Sequence, residues 1–176
     1  MISIVIPALN EARALPATLQ SVASQTAAFE VIIVDGGSTD GTATVANRWA
    51  DRNQRADRVR VIASPRGRAA QMNAGASIAA GEWLLFLHAD TRLPSGALDA
   101  ITMLDRTHEF GGFHHSFDIK DWRLRFVSAL HNLRCRRSGV FYGDQAMFVR
   151  RTTFLGLGGF PAVRYLEDVM LSERLI

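Results

Sequence analysis

Residues 29–41 read Phe-Glu-Val-Ile-Ile-Val-Asp-Gly-Gly-Ser-Thr-Asp-Gly, and the fold class follows from them. The first six residues are mostly β-branched and apolar, which is typical of a strand that helices cover on both faces. The rest is rich in residues that favour turns, and we expect Asp40 to cap the next helix. That helix carries Val45, Ala46 and Trp49 on one face. A buried strand, a polar turn and a helix in this order predict one unit of an α/β sheet.

The same alternation continues on both sides of this unit. Apolar runs predict further strands at residues 3–7, 59–63 and 83–87. Helical spacing of apolar residues predicts helices through Leu15, Leu19 and Val22, over residues 69–80, and over residues 98–104, where Ser95 is the expected cap. Strands and helices that alternate at these lengths indicate right-handed crossovers and a mainly parallel sheet flanked by helices.

The second half of the chain is less regular. We predict strands over residues 110–117 and 146–150, and helices over residues 122–136 and from residue 167 to the end. The sequence contains no internal repeat, low-complexity stretch or linker, so we predict a single domain over residues 1–176.

Composition narrows the class of ligand and the compartment. The net charge is +3, and Lys120 is the only lysine, so the basic residues are nearly all arginine, which suits diphosphate because its planar fork binds two oxygens. Charge alone does not choose between a nucleotide and a polynucleotide. Cys135 is the only cysteine, which excludes an intrachain disulfide. We find neither a signal peptide nor an apolar run of about 18 residues, and we expect a cytoplasmic location without a transmembrane segment.

Polar residues collect where the predicted strands end. Residues 7–11 follow the first strand, residues 35–40 the second, residues 64–68 the third and residues 88–90 the fourth. In an open α/β sheet, ligands bind beyond the carboxyl ends of the strands. The sequence therefore predicts a ligand site at this edge.

Three groups at this edge are candidates for chemistry. Asp35 offers an acceptor for the N–H of a base or for ribose hydroxyls, although a turn would also use it. His88 and Asp90 are two residues apart, so on an extended chain they would point the same way and share one metal ion; the alternative is a packed histidine and a turn-forming aspartate. Arg68, with Arg66, lies at a predicted helix start, where an anion is favoured.

The pair Glu167-Asp168 is the last candidate. A carboxylate here would serve as general base for a hydroxyl nucleophile if burial or a neighbouring charge raised its pKa. The alternative is acidity that merely favours the start of a helix. The residues by themselves favour the second interpretation, and only the wider pattern of the chain supports the first.

Taken in order, these segments resemble the family 2 glycosyltransferases. The resemblance covers nearly the whole chain and rests on residues 7–11, 34–42, Gly67-Arg68 with Asn73 and Gly75, residues 81–82, 88–90, 143–145 and 167–168. Residues 67–73 and 143–145 look like a bacterial subfamily whose substrates are poorly assigned. The resemblance implies a GT-A fold, a Rossmann-like α/β architecture, with an irregular acceptor-side part at the C-terminal end.

The resemblance also implies a role for each matched position on the donor side. Ala8 and Glu11 match positions that hold the base and ribose of a nucleotide-sugar donor. Asp35 matches the aspartate that accepts from the base, usually uracil, so that a UDP-sugar is expected. Arg68 matches a basic position near the same nucleotide. Residues 1–107 would form the nucleotide-sugar-binding half and residues 108–176 the acceptor-side half.

The remaining matches concern metal, catalysis and the acceptor. His88 and Asp90 occupy the Asp-X-Asp position, whose last aspartate coordinates a divalent metal, Mn²⁺ or Mg²⁺, on the diphosphate. Asp168 matches the base that deprotonates the acceptor hydroxyl in a single, inverting displacement. Asp144 and Gln145, just before a predicted strand, are the candidates for binding the acceptor.

Three departures from the family pattern bear on these expectations. His88 replaces the usual first aspartate, which leaves one negative charge fewer near the metal. Gly36 replaces a second acidic residue that is common after Asp35. The chain stops eight residues after Asp168, where family members often continue, so we expect either that acceptor-side elements are absent or that the chain is a fragment.

Two other classes of function compete with this one. A nucleotidyltransferase would carry a glycine-rich, basic loop after the first strand, and residues 7–11 are not such a loop. A non-catalytic module would bind nucleotide, nucleic acid or anionic membrane through arginines. The best candidate for such a binding surface is a basic amphipathic helix at a membrane surface. Its apolar residues would be Trp122, Phe126, Leu130 and Leu133, and its basic residues Arg123, Arg134, Arg136 and Arg137. We interpret it as a packing helix whose arginines face water. We expect no nucleic-acid partner, whereas a lipid-linked acceptor would make contact with a membrane surface meaningful.

Overall fold

The computed structural model describes residues 1–52, 58–118, 121–163 and 165–176, and within these ranges the chain forms one six-stranded sheet. The strands are β1 (Ile2–Ala8), β2 (Phe29–Asp35), β3 (Val59–Ala63), β4 (Trp83–Phe86), β5 (Phe110–Gly111) and β6 (Phe148–Arg150). Their spatial order is β3-β2-β1-β4-β6-β5. The first four strands are parallel to one another, and β6 runs antiparallel to β4 and β5. The predicted mainly parallel sheet is confirmed.

Helices cover both faces of this sheet. They are α1 (Leu15–Ala23), α2 (Thr42–Arg52), α3 (Arg68–Ile78), α4 (Ala97–Thr102), α5 (Trp122–Ser138), α6 (Arg151–Gly156) and α7 (Glu167–Leu175), with a short 3₁₀ turn at Gly143–Gln145. The core on one face joins β-strand side chains such as Ile4 to α1, α2 and α4. The core on the other face joins side chains such as Val5 to α3, α6 and α7. Because both faces are covered, the central strands read as continuous apolar runs rather than as alternating ones.

Helix α3 lies unusually close to the sheet. A Cβ added at Gly75 would lie 2.4 Å from Val5 Cγ1, so only glycine fits there without a shift of helix or strand. One turn earlier, the buried Gln71 donates from Nε2 to the carbonyl oxygens of Ala8 at 2.9 Å and Val34 at 2.8 Å. The amide therefore ties the start of α3 to the carboxyl ends of β1 and β2.

A buried polar cluster lies at the amino ends of β1, β2 and β3, opposite the carboxyl ends where ligands are expected. The carboxylate of Glu30 accepts hydrogen bonds from Ser3 Oγ at 2.5 Å, from the Ala80 N–H at 2.7 Å and from Arg60 Nη2 at 2.6 Å. Burial raises the pKa of Glu30, but these donors outweigh it and the pKa lies below its ordinary value of 4.5. Glu30 is thus a structural carboxylate, far from the edge where ligands are expected.

The less regular half differs from expectation in several elements. The strand predicted over residues 110–117 is only Phe110–Gly111, and the one predicted over residues 146–150 is Phe148–Arg150. Ser95 does not cap α4: the helix follows Gly96, whose φ of 74° is left-handed, and no described side chain caps it. Helix α6 and the turn at Gly143–Gln145 were not expected, because each is too short to carry a period.

We expected α5 to pack through its apolar side, and this expectation is wrong. Its apolar residues face outward: Trp122 is 73% exposed, Phe126 60%, Leu130 51% and Leu133 44%. We call these four residues the apolar stripe of α5. The buried residues on this helix are instead Ser128 and Cys135. Helix α5 therefore packs through its polar side and leaves its apolar side uncovered by the described part of the chain.

Candidate functional site

A first cavity, of about 300 Å³, opens at the carboxyl edge of the sheet. Four separate segments supply its walls: the end of β1, the start of α3, the turn after β4 and the start of α7. The lining residues are Pro7, Ala8, Leu9, Glu11, Arg66, Gly67, Arg68, Gln71, His88, Ala89, Asp90, Tyr165 and Glu167. The structure thus gathers five of the predicted site residues, Ala8, Glu11, Arg68, His88 and Asp90, around one cavity.

The start of α3 gives this cavity a favourable place for an anion. The first residues of α3 line the cavity, and no described side chain caps the helix. Its first-turn N–H groups are therefore available to a ligand, and the positive end of the helix dipole lies at the same place. Arg68 Nη1 lies 3.5 Å from Glu167 Oε1, and its side chain is about half exposed. An exposed charged fork whose contact with Glu167 is this long is available to a second partner, such as a phosphate.

Carboxylates also line the cavity. The pKa of Glu11 is raised, first by burial and then by the negative charges of Asp90 and Asp40. Asp90 is exposed at the edge of the cavity. A bound cation would offset the repulsion between these negative charges.

His88 stands where two cavities meet, because it lines the first and also a second one. Burial lowers the pKa of His88, the positive charge of Arg68 adds to this, and the carboxylates of Asp90, Asp168 and Asp144 oppose it. Its Nε2 is buried and has no hydrogen-bond partner among the residues that the structure describes. A neutral imidazole with an unpaired nitrogen is the form that binds a metal or accepts a proton.

A metal fits these residues only if other ligands come with it. Within the described ranges of the chain, no group of three or more His, Cys, Asp and Glu side chains converges on one point. Mg²⁺ and similar ions are commonly bound through one or two carboxylates together with substrate phosphates. Asp90, with the unpaired nitrogen of His88 nearby, fits an ion of that kind.

The second cavity, of about 730 Å³, extends from His88 toward the acceptor-side candidates. Its walls include residues 90–94, 113–118 and 144–146. The carboxylate of Asp144 lies 3.7 Å from His115 Nε2 and 3.6 Å from His131 Nε2, and its side chain is 44% exposed. Asp144 therefore lies between two histidines and still faces the cavity.

Gln145 also borders this cavity, but its side chain is already engaged. Oε1 accepts from the Tyr142 N–H at 3.1 Å, and the backbone carbonyl of Gln145 accepts from the Phe113 N–H at 2.7 Å. With only 1% of its surface exposed, Gln145 fixes the loop that carries Asp144.

Asp168 lies behind the cavities rather than on their walls. Its Oδ2 accepts from the Gly143 N–H, its Oδ1 accepts from the Val169 N–H at 2.8 Å, and the residue is 6% exposed. A Cβ added at Gly143 would lie 2.4 Å from His88 Nε2 and 3.3 Å from Asp168 Oδ2. His88 and Asp168 therefore both lie next to the Cα of Gly143, on the side that a side chain would occupy.

Asp35 lies at the predicted edge of the sheet but does not line either cavity. It is paired in register with Ala8, yet its carboxylate accepts from the N–H groups of Gly37 at 3.2 Å and Ser38 at 3.1 Å. The turn that the sequence predicts is present, and it occupies part of this carboxylate. Its role toward a base stays a prediction.

Sequence reasoning proposed Glu167 only as one of a pair with Asp168, and it did not propose Gln71. Glu167 is 1% exposed, and Leu166 before it adopts a left-handed conformation with φ 64°, uncommon for leucine. Gln71 holds the strand ends. A signal for Gln71 was present: helical spacing places it on the same buried face as Gly75, where a polar residue needs a partner.

Taken together, the doubly covered sheet and the cavities at its carboxyl edge define an α/β protein of the GT-A type. The sequence model of glycosyl transferase family 2 matches residues 3–163. The chain belongs to glycosyl transferase family 2, as the resemblance implied.

Relatives and solved structures agree with this assignment. A protein of Mycobacterium bovis named PGL/p-HBAD biosynthesis glycosyltransferase is 43% identical over 152 residues, which cover 85% of this chain and 55% of that protein. A glycosyltransferase of Nostoc is 34% identical over 122 residues, which cover 68% of this chain and 37% of that protein. The chain thus spans about half the length, or less, of these curated relatives.

Among solved structures, S. aureus TarS has a similar fold, with a TM-score of 0.74, 19% identity and coverage of 97% of this chain and 52% of that one; it was solved with UDP-GlcNAc. The mannosyltransferase PcManGT of Pyrobaculum calidifontis, solved with GDP-Man and Mn²⁺, has a TM-score of 0.72 and 26% identity, over 91% of this chain and 47% of that one. In the described part of this chain, no helix is both long and apolar enough to cross a membrane.

Proposed function

We propose that the chain transfers a sugar from a nucleoside diphosphate sugar, most simply a UDP-sugar, to an acceptor hydroxyl. The observation that carries this proposal is the first cavity, which an uncapped helix start and Arg68 line together with the carboxylates of Glu11 and Asp90. Positive groups and carboxylates in one cavity suit a diphosphate that arrives with a divalent cation. Membership of family 2 favours glycosyl transfer over the nucleotidyltransferase alternative.

The donor would lie along the carboxyl edge of the sheet. Ala8 and Glu11 would contact the nucleoside, and Asp35 would accept from the base with the lone pairs that its turn leaves open. The diphosphate would lie at the start of α3, within reach of Arg68. Glu167 would hold Arg68 in place through the 3.5 Å contact between their charged groups. TarS with UDP-GlcNAc and PcManGT with GDP-Man support a donor of this class.

We propose that Asp90 holds a divalent metal, Mn²⁺ or Mg²⁺, with His88 beside it. Such an ion neutralises charge that develops on the leaving diphosphate. The low pKa of His88 keeps its imidazole neutral, so it adds no positive charge to repel the ion. PcManGT, which was solved in complex with Mn²⁺ as well as GDP-Man, supports a metal of this kind.

The acceptor would enter through the second cavity, with its hydroxyl near His88, and Asp144 would bind it. Its oxygen would attack the anomeric carbon as the nucleoside diphosphate leaves from the opposite face, which inverts the configuration. Asp168 would take the hydroxyl proton as general base. It lies beside His88 at Gly143, and its carboxylate is held by the Gly143 and Val169 N–H groups, which fix its position. We place the reaction on the cytoplasmic side, since Cys135 is a free, buried cysteine.

A thermal-shift panel of UDP-, GDP- and CDP-sugars, each with and without Mn²⁺ or Mg²⁺, tests the donor and the metal. We expect a UDP-sugar to raise the melting temperature and the metal to add to that rise, since a ligand stabilises the state it binds. In Asp90→Asn the nucleotide shift should remain and the metal increment should disappear. No shift with any nucleotide would contradict the proposal.

The base is tested separately. Asp168→Asn keeps the shape of the side chain and should retain the shift with a UDP-sugar, while transfer falls by about 100-fold or more, the scale of general-base catalysis. Glu173→Gln makes the same chemical change at an exposed position of the same helix and should have wild-type turnover. Wild-type turnover in Asp168→Asn would remove Asp168 from this role.

A further inference from the structure

Helix α5 turns its apolar side outward, which is the reverse of an ordinary surface helix. A helix of a water-soluble protein usually turns its apolar side to the core. Here the apolar stripe, defined above as Trp122, Phe126, Leu130 and Leu133, is between 44% and 73% exposed. Contiguous exposed apolar surface of this kind marks a place where something else binds.

Polar contacts hold α5 in this orientation. Asn132 donates from Nδ2 to the His115 carbonyl at 2.9 Å and accepts from the His115 N–H at 2.9 Å. The buried Ser128 lies 3.2 Å from His115 Nδ1, and His131 lies 3.6 Å from Asp144. These residues share the inner side of the helix, so the apolar stripe is fixed on the outer side.

Arginines border the apolar stripe along both edges. At 100° per residue, Arg123 falls along one edge, and Arg125 and Arg136 along the other. Arg134 also falls on the first edge but its guanidinium lies 4.0 Å over the Tyr142 ring, and Arg137 falls in line with the stripe at its C-terminal end. Helix α5 contains no aspartate or glutamate over its 17 residues. An apolar band with cations on both sides is the pattern of a helix that lies in the interface of a membrane with anionic lipids.

We propose that the apolar stripe of α5 docks on an anionic lipid bilayer, with the helix lying in the plane of the surface. The charge pattern favours a bilayer over a second copy of this chain, because two such helices would bring ten arginines together without a carboxylate between them. Helix α5 does not meet the length and apolarity needed to cross a membrane, so it lies on the surface rather than through it.

Docking would also place the second cavity beside the bilayer. The inner side of α5 contacts His115 and Asp144, which border that cavity. If the second cavity binds the acceptor, which rests on the function proposed above, an acceptor carried by a membrane lipid would reach it from the surface. The docking itself does not depend on that activity.

Vesicle co-sedimentation tests the docking without any sugar or nucleotide. We expect the protein to sediment with vesicles of phosphatidylcholine and phosphatidylglycerol, to bind pure phosphatidylcholine far less, and to be released at high salt. Trp122 fluorescence should shift to shorter wavelength on anionic vesicles. Trp122→Ser with Phe126→Ser should lower partitioning on the order of tenfold or more, since two aromatic anchors are lost.

Matched variants test whether vesicle binding depends on the apolar stripe or on exposed apolar side chains in general. Met103→Ser with Leu155→Ser removes two apolar side chains that are 85% and 47% exposed elsewhere, and it should bind vesicles as wild type does. Arg125→Gln with Arg136→Gln should weaken anionic binding by roughly fivefold per arginine. Melting temperatures of these variants should match wild type, because every changed side chain is exposed.

Three results would overturn the proposal. The first is that wild type binds neither kind of vesicle. The second is that the stripe variant binds as well as wild type. The third is a concentration-dependent dimer in sedimentation velocity that Trp122→Ser with Phe126→Ser abolishes. Loss of vesicle binding with retained UDP-sugar stabilisation would leave the proposed transferase function intact.

Discussion

Gly143 lies so close to His88 that a side chain at this position would collide with the imidazole. An alanine Cβ there would lie 2.4 Å from His88 Nε2, whereas ordinary van der Waals contact begins near 3.4 Å, so ring or backbone must retreat by about 1 Å. His88 is partly buried and cannot move away freely. The Gly143 N–H also donates to Asp168, so a backbone shift would disturb that carboxylate as well.

The expected cost of Gly143→Ala is that of an overpacked site, about 1–3 kcal/mol in the free energy of unfolding. For a chain of this length about 2–4 °C of melting temperature is lost per kcal/mol, so melting should fall by roughly 2–12 °C. If the proposed function holds, transfer should fall on the order of 100-fold, because a misplacement of about 1 Å has that effect on positioned groups.

Calorimetric melting of four variants checks the reasoning. Gly156→Ala is the control, since nothing lies within 4 Å of its added Cβ, and it should melt with wild type. His88→Ala with Gly143→Ala removes the obstructing ring, so the double variant should lose less stability than the two single variants summed. A Gly143→Ala protein as stable and as active as wild type would refute the contact on which this reasoning rests.

Three further predictions concern the frame around the site. Gly75→Ala places a Cβ 2.4 Å from Val5 Cγ1 and should cost about 1–3 kcal/mol in chemical denaturation; an unchanged midpoint would contradict the close packing of α3. Gln71→Leu removes two buried hydrogen bonds and should cost on the order of 1–3 kcal/mol, with a matching loss of nucleotide-induced stabilisation; unchanged stability and binding would remove Gln71 from its bracing role. The pKa of Glu30 is lowered in the folded state, so its contribution to the free energy of unfolding is present above about pH 4.5 and is lost as pH falls through the folded pKa. The melting temperature should therefore fall less between pH 6 and pH 3 in Glu30→Gln than in wild type. An equal fall in both proteins would contradict the structural role of Glu30.

Much of the fold was predictable because the central strands are buried on both faces. Runs such as residues 29–34 have no alternation to confuse with a surface strand, and their spacing by helical segments indicates parallel crossovers. The second half resisted prediction for the opposite reason. Strand β5 is only Phe110–Gly111, and β6 is Phe148–Arg150, so neither is long enough to show a period.

Helix α5 shows a different limit of sequence reasoning. Its apolar spacing predicts a helix correctly but does not say which side faces the protein. Hydrogen bonds from Asn132 and Ser128, which are long-range contacts, decide the orientation. A pattern that usually means a core-facing side therefore produced an exposed one.

The candidate site was predictable to the extent that it follows the sheet edge. Glu11, Arg68, His88 and Asp90 all line the first cavity because parallel strands end on the same side. The environment of Asp168 was not predictable, since the backbone N–H of Gly143, in a loop 25 residues away along the chain, engages its carboxylate. Which atoms such a loop presents depends on its conformation rather than on residue type.

Amide hydrogen exchange with UDP and Mn²⁺ tests most directly whether distant segments form one nucleotide site. The account predicts that adding both ligands slows exchange together in residues 7–11, 66–71, 88–90 and 165–167, while α5 exchanges as before. Protection absent from these segments, or confined to one of them, would contradict a shared cavity for the donor and its metal.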